Sequence, residues 1–139
     1  MPLESEEIAE VKGLGVDIAS IPRIARLVER YNTPDGTLRD RETLNLLFTL
    51  DEIDRYQSSS YPYLSLAISF ATKEAVGKAL GTGLVEIGWN EIEANLTEDK
   101  LTVQLYGNAS IQAKRCGIQK WLATWCYWDE HVMVQVLGL

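Results

Sequence analysis

The sequence has little of what disulfide-rich and zinc-binding domains require. Its 139 residues include two cysteines, Cys116 and Cys126, and one histidine, His131. The cysteines lack the close spacing of metal ligands, and two of them cannot form a disulfide framework. This composition disfavours a structural zinc site and a secreted disulfide scaffold, and it indicates a reducing, cytoplasmic setting.

Long apolar runs and an excess of basic residues are also missing. No stretch approaches the ~20 apolar residues of a membrane span, and the acidic N-terminus is unlike a signal peptide. The net charge of −7 disfavours nucleic acid as a partner. Much of that acidity lies in a leading segment that carries Glu4, Glu6, Glu7 and Glu10. We expect residues 1–12 to be a disordered acidic leader and residues 13–139 to form one domain.

Several common catalytic motifs are absent as well. The sequence has no glycine-rich phosphate loop, no serine-nucleophile motif and no arrangement that suggests a histidine-based triad. We interpret the single histidine, His131, as an ordinary residue at the start of a strand. The aromatic residues Trp121, Trp125, Tyr127 and Trp128 are interpreted as core or subunit interface.

The hydrophobic pattern predicts an α+β fold, with a mostly antiparallel sheet and one long central helix. A Thr49–Glu52 capping box marks the start of a short helix. The predicted strands are 13–19, 87–95, 101–105, 121–128 and 132–137. The predicted helices are 21–31, 50–56, 63–80 and 109–116, and residues 32–41 are predicted to be a loop.

The long helix carries two charges on its apolar side. At 100° per residue from Phe70, Glu74 falls at about 40° and Lys78 at about 80°, within an apolar arc of roughly 180°. Lys73 falls on the opposite, more polar side. A carboxylate and an ammonium in an apolar stripe must be paired, metal-bound or at a cleft, because burying either alone is costly. The simpler alternative is an i,i+4 ion pair on the helix surface.

A second carboxylate lies on the first strand. Alternation turns Asp17 to the same side as Gly15 and Ala19, so a ligand could approach it closely. The alternative is a carboxylate that faces water at a strand end. Together Asp17 and Glu74 suit Mg²⁺, which takes one or two carboxylates and completes its shell with water and phosphate oxygens. Lys73 and Lys78 could then neutralise phosphates.

The first helix presents a basic ridge. Arg23, Arg26 and Arg30 recur at i, i+3 and i+7, which places them on one side of the helix. In an acidic protein this ridge indicates an acidic partner. A solvated helix face is the alternative.

Two stretches resemble the signatures of holo-acyl-carrier-protein synthases, the short 4′-phosphopantetheinyl transferases. The first runs from Gly13 to Ile18 (Gly-Leu-Gly-Val-Asp-Ile) and continues in Ile21-Pro22-Arg23-Ile24. The second runs from Phe70 to Gly83 and resembles the pattern F-A-x-K-E-A-x-x-K-A-x-G-T-G. Weaker similarity covers residues 47–56 and 88–93. The resemblance extends in order from Gly13 to Leu137, and the two signatures at this separation are specific together.

The resemblance implies the fold of these transferases and the transfer of 4′-phosphopantetheine from coenzyme A to a serine of an acyl carrier protein. It implies Mg²⁺ on Asp17 and Glu74, a homotrimer with sites at its interfaces, and release of adenosine 3′,5′-bisphosphate. Glu74 and Lys78 are the expected catalytic residues, and the basic ridge is expected to dock the carrier protein. The expected coenzyme A contacts are Lys73, Lys78, Gly81 and Gly83. The base that takes the serine proton remains open between Glu74 and a metal-bound water.

The sequence departs from the family pattern at two positions. Ser69 stands where the family usually has arginine, and Tyr127 stands where it usually has histidine. Both changes remove groups expected near coenzyme A. The alternative reading is therefore a catalytically impaired member that binds a carrier protein or a coenzyme A-like ligand without turnover.

Overall fold

The computed structural model describes residues 10–31, 38–98 and 100–139. Five helices and five strands follow one another along these ranges. The strands are β1 (Gly13–Ser20), β2 (Ile92–Thr97), β3 (Lys100–Leu105), β4 (Trp121–Trp128) and β5 (His131–Gly138). The helices are α1 (Ile21–Tyr31), α2 (Leu38–Leu47), α3 (Leu50–Ser58), α4 (Pro62–Ala79) and α5 (Gly107–Arg115), with a 3₁₀ turn at Trp89–Glu91.

The strands form one antiparallel sheet in the order β1-β5-β4-β3-β2. Helix α4 packs on the inner face of this sheet, where Val132, Val134 and Val136 of β5 are fully buried. The predicted fold class is confirmed. Strand β5 is an interior strand as expected, but its burial alternates, since the other face of the sheet has no helix against it among the described elements.

Strand β1 and helix α4 approach each other closely because glycine lies at the crossing. A Cβ atom on Gly15 would overlap the carbonyl oxygen of Ala75, and one on Gly13 would overlap that of Ala79. Larger residues at these positions would separate the two elements. The crossing brings the next inward residue of β1, Asp17, near the middle of α4.

Helix α4 is buried on nearly every side, and the division into an apolar and a polar side was wrong. Lys73, predicted on the polar side, is buried, and so are Ser69, Thr72 and Gly77 on the same side of the helix. Helix α3 and strand β2 cover that side, while strands β1 and β5 cover the other. Beyond the first turn of α4, only Phe70, Glu74 and Lys78 reach a cleft or solvent.

Several boundaries differ from the sequence prediction. Residues 38–41 begin helix α2 and do not belong to a loop. Residues 87–88 are not part of a strand and residues 89–91 form the 3₁₀ segment, because Glu91 N–H bonds to Gly88 oxygen in a helical pattern before β2 begins. Residues 1–9 of the expected leader and residues 32–37 of the expected loop lie outside the described residues.

The outer face of the sheet is apolar, and the described residues leave it uncovered. Leu14, Val16 and Ile18 of β1 point outward, and Leu14 and Ile18 each expose more than half of their surface. Strand pairing places Leu14 beside Leu137, which in turn neighbours Leu122 on β4. Along the described ranges, no helix combines the length and apolar character needed to cross a membrane.

Candidate active site

A half-open cleft of about 930 Å³ lies where β1 passes into α1. Strand β1, helix α1, helix α4 and the start of β5 all contribute to its walls. The ionisable side chains that line it are Asp17, Arg23, Arg26, Glu74 and His131. The structure thus brings together the two predicted metal carboxylates and two residues of the predicted basic ridge.

Asp17 pairs with a lysine from the helix that it faces. The Lys78 ammonium lies 3.2 Å from Asp17 Oδ1 and also donates to the carbonyl oxygen of Val16 at 2.9 Å. Asp17 exposes 17% of its side chain and Lys78 exposes 52%. Neither the surface pair between Glu74 and Lys78 nor a solvated Asp17 describes this arrangement.

Among the described residues, Glu74 has no partner of opposite charge in direct contact. Partial burial raises the pKa of its carboxyl, the nearby Asp17 carboxylate raises it further, and Lys78 opposes the change. Two carboxylates that repel each other at the wall of a cleft provide oxygen ligands for a hard cation. Within the described ranges, no third histidine, cysteine or carboxylate joins them in a metal-binding group.

Lys73 lies away from the cleft. Its side chain is fully buried, and its ammonium lies 2.7 Å from Glu52, whose side chain is also fully buried. It donates further to the carbonyl oxygens of Trp89, at 3.0 Å, and of Ile92. The expectation that Lys73 contacts coenzyme A phosphates is corrected in this structure, because its ammonium has three internal acceptors and no exposed surface.

The basic ridge borders the carboxylates through its first two members. Arg23 and Arg26 are exposed and line the cleft, and the side chain of Arg30 lies outside the described part. Helix α1 starts at the predicted position, and the Arg23 N–H donates to Ser20 Oγ at 3.3 Å, as expected of an N-cap. The cleft therefore has an acidic wall and a basic rim.

Gly81 and Gly83 end helix α4 beyond Lys78. Both have positive φ, at 79° and 62°, and the Gly83 N–H bonds to the Gly77 carbonyl at 2.9 Å. They lie outside the lining of the carboxylate cleft. A Cβ atom on either would meet no atom within 4 Å, so their need for glycine is conformational.

Phe70 and His131 are among the lining residues that were not predicted as site residues from the sequence. Phe70 forms part of the cleft wall and stacks on Trp89 at a centroid distance of 4.9 Å. His131 was interpreted as a strand-start residue; it does begin β5, but it also lines the cleft. The signal for His131 was its place directly after a tight turn, across which it pairs with Trp128 of β4. On its other side, His131 pairs with Ser20 of β1.

The two departures from the family pattern occupy different surroundings. Ser69 is buried within α4. Tyr127 is exposed and lines a separate apolar groove of about 500 Å³ with Ile21, Tyr61 and Tyr63. Neither side chain lines the cleft that holds Asp17 and Glu74.

Comparison with known proteins identifies the family. Residues 13–133 match the 4′-phosphopantetheinyl transferase superfamily. The chain is 34% identical over 130 residues to a holo-acyl-carrier-protein synthase of Gloeobacter violaceus, which covers 90% of this chain and 92% of the relative. It is 30% identical over 132 residues to the same enzyme of Alkaliphilus oremlandii, with 93% and 99% covered.

Solved structures show the same fold. The crystal structure of holo-acyl-carrier-protein synthase from Neisseria meningitidis matches with a TM-score of 0.77 at 23% identity, covering 94% of this chain and 99% of that one. The enzyme of Helicobacter pylori in complex with coenzyme A matches with a TM-score of 0.71 at 23% identity, covering 91% and 99%. With a match across most of its length and relatives of at least 30% identity, this chain belongs to the holo-acyl-carrier-protein synthase family of the 4′-phosphopantetheinyl transferase superfamily.

Proposed function

We propose that this enzyme transfers 4′-phosphopantetheine from coenzyme A to a serine of an apo acyl carrier protein. The observation that carries the proposal is one cleft in which Asp17 and Glu74 form an acidic wall and Arg23 and Arg26 form a basic rim. Such a cleft offers ligands for a phosphate-bound cation and a surface for an acidic protein. The family membership and a relative bound to coenzyme A support the same reaction.

Asp17 and Glu74 would hold Mg²⁺. They fit the ion because both offer oxygen donors at a cleft, and a cation would relieve the repulsion that contributes to the raised pKa of Glu74. When bound, Mg²⁺ supplies charge neutralisation on phosphate oxygens. Glu74 and Lys78 act at the reacting phosphate, where the exposed Lys78 ammonium balances charge on the leaving adenosine 3′,5′-bisphosphate.

Coenzyme A would bind along the end of α4, with Lys78, Gly81 and Gly83 nearest its phosphates. Lys78 is exposed and can turn from Asp17 toward a phosphate. The glycines leave open space at their Cα atoms, which permits a phosphate to approach the backbone. Arg23, Arg26 and Arg30 would dock the carrier protein, as the basic ridge on α1 suggests.

The apolar outer face of the sheet supports assembly as a homotrimer. Leu14, Leu122 and Leu137 form a continuous row across three strands, and an apolar surface of this kind is typically covered by a partner. Leu122→Arg should convert the trimer to a monomer in light-scattering measurements of mass. A wild-type protein that is monomeric at micromolar concentration would contradict the trimer.

The proposed transfer is tested by incubating the enzyme with coenzyme A, Mg²⁺ and an apo carrier protein, followed by mass spectrometry of the carrier. We expect the carrier to gain the mass of one phosphopantetheine group, and Asp17→Asn to abolish the gain. A carrier that stays unmodified while coenzyme A still binds would favour the alternative of an impaired family member. The observation that favours this second candidate is the presence of Ser69 and Tyr127 where the family usually has arginine and histidine.

A further inference from the structure

The proposed function leaves one ionisable side chain of the cleft without a role. Of the five that line it, Asp17 and Glu74 are proposed to hold the metal, and Arg23 and Arg26 are proposed to dock the carrier protein. His131 is the fifth, and it is the only histidine of the chain. Of these five side chains, only its imidazole offers a nitrogen lone pair that can accept a proton.

A hydrogen bond at the turn fixes which nitrogen carries the proton. His131 Nδ1 lies 2.6 Å from the carbonyl oxygen of Asp129. A carbonyl oxygen can only accept, so Nδ1 must donate, and the neutral ring then has its lone pair on Nε2. An imidazole held in this tautomer by a backbone carbonyl is arranged to accept a proton at Nε2.

The surroundings hold the ring in place. Asp129 and Glu130 have φ of 48° and 61°, as in the tight type I′ turn that links two antiparallel strands. The Ile21 N–H bonds to the Glu130 carbonyl at 2.9 Å, which fastens this turn to the first residue of α1. Trp128 stacks against the imidazole at a centroid distance of 6.2 Å.

His131 lies at the end of the cleft where helix α1 begins. His131 pairs with Ser20, the N-cap of α1, so it lies at the start of the helix that carries Arg23 and Arg26. A carrier protein docked on that ridge would present its serine from this side of the cleft. The charged groups around the imidazole are Asp17, Glu74, Arg23 and Arg26 across the cleft and Asp129 and Glu130 on its own turn.

We propose that His131 is the general base of the transfer, an assignment that rests on the proposed function. The serine oxygen forms a bond to the phosphorus of the pantetheine phosphate as the bond from that phosphorus to the bridging oxygen breaks. The bridging oxygen leaves with adenosine 3′,5′-bisphosphate. The hydroxyl proton passes to Nε2 of His131 and from there to solvent.

The test compares the wild type with His131→Asn, because an asparagine side chain can still donate to the Asp129 carbonyl but has no basic nitrogen. We expect kcat to fall by roughly 10²- to 10³-fold, as is typical of losing a general base, with KM for coenzyme A changed less than about threefold. Added imidazole should restore part of kcat in the variant and none in Asp17→Asn. A kcat within about threefold of wild type, or a loss that imidazole does not restore, would overturn the assignment.

The single histidine allows a readout that does not depend on turnover. In ¹⁵N spectra of the imidazole, the neutral ring should show a protonated Nδ1 and an unprotonated Nε2. The opposite tautomer would contradict the geometry on which the proposal depends. An inactive wild type would refute the proposed function and the base with it, whereas an active wild type and an equally active His131→Asn would refute the base alone.

Discussion

Lys78 reaches across from helix α4 to strand β1 and pairs with Asp17 at 3.2 Å, instead of pairing with Glu74 one turn before it. The ammonium thus neutralises the Asp17 carboxylate, whereas the partly buried Glu74 carboxylate does not pair with it. This asymmetry between Asp17 and Glu74 has consequences for how the protein responds to pH.

The stability of the metal-free protein should fall with rising pH because of Glu74. Burial and the Asp17 carboxylate raise the pKa of Glu74 above its ordinary value near 4.5, so the folded state holds this proton more tightly than the unfolded chain. The stabilisation is fully present below the unfolded pKa and is lost as pH rises through the higher folded pKa. Urea unfolding of wild type and Glu74→Gln from about pH 4 to pH 8 measures it.

The free energy of unfolding of Glu74→Gln should rise relative to that of the wild type as pH increases through this window. Glu98→Gln, which removes an exposed carboxylate from a hairpin turn, is the control for the loss of one negative charge. A difference between wild type and Glu74→Gln that stays constant with pH would show that the carboxyl is not perturbed in this way.

Arg23→Glu should weaken recognition of the carrier protein and spare coenzyme A. Reversing an exposed charge at the rim of the cleft turns attraction into repulsion, so KM for the carrier should rise about 10-fold or more at low salt. KM for coenzyme A should change less than about threefold. Steady-state kinetics at two salt concentrations measures both, and the effect should shrink as salt screens it.

Lys120→Glu is the matched control for this charge reversal. Lys120 is exposed and precedes the start of β4, where Trp121 pairs with Gly138 at the opposite end of the sheet from His131. If both reversals raised KM for the carrier equally, the effect would reflect net charge and not a docking surface on α1.

Lys73→Met should unfold at a much lower urea concentration than the wild type. It removes the cation of a fully buried pair and leaves Glu52 charged in the interior, which typically costs about 3–5 kcal/mol in the free energy of unfolding. Adding Glu52→Gln should cost less than the sum of the two single changes, because the pair is then neutral on both sides. Lys114→Met, at an exposed position, should stay within about 0.5 kcal/mol.

A different outcome would support a role for Lys73 in binding the phosphates of coenzyme A. If Lys73→Met kept the stability of the wild type while KM for coenzyme A rose strongly, its ammonium would have to leave Glu52 when the substrate binds.

Gly15→Ala should destabilise the protein because β1 and α4 have no space for a methyl group between them. The added Cβ would overlap the carbonyl oxygen of Ala75, which belongs to the helix backbone and cannot turn aside. We expect the free energy of unfolding to fall by about 2–3 kcal/mol or more. Gly88→Ala is the control, since its Cβ would lie 3.1 Å from the flexible Asn90 side chain. Equal urea midpoints for both variants would contradict the close crossing.

What the sequence could predict depended on how local each signal was. The Thr49–Glu52 capping box, the start of α1 at Ile21 and the hairpin of β4 and β5 rest on neighbouring residues, and the structure contains all three. The presence of Asp17 and Glu74 in one cleft could be predicted because each belongs to a sequence signature and the two signatures lie on adjacent elements.

The remaining features depend on contacts between distant residues. A helical wheel treats α4 alone, so it could not show that Glu52 and two backbone carbonyls would surround Lys73. The place of His131 depends on pairing with Ser20, which precedes it by more than 100 residues. The start of β2 was misplaced because alternation in residues 87–91 resembles a strand until the turn at Gly88 is considered.

Glu52 connects three separate parts of the chain. One carboxylate oxygen accepts from Thr49 N–H at the start of α3 and from Lys73 of α4, and the other accepts from Ala94 N–H of β2. Because opening any one of these segments would disrupt the Glu52 hydrogen bonds that hold the other two, they should unfold as one cooperative unit. The Ala94 amide should then exchange with solvent only at the rate of global unfolding, and Glu74, next to Lys73, belongs to a part of the protein that opens last.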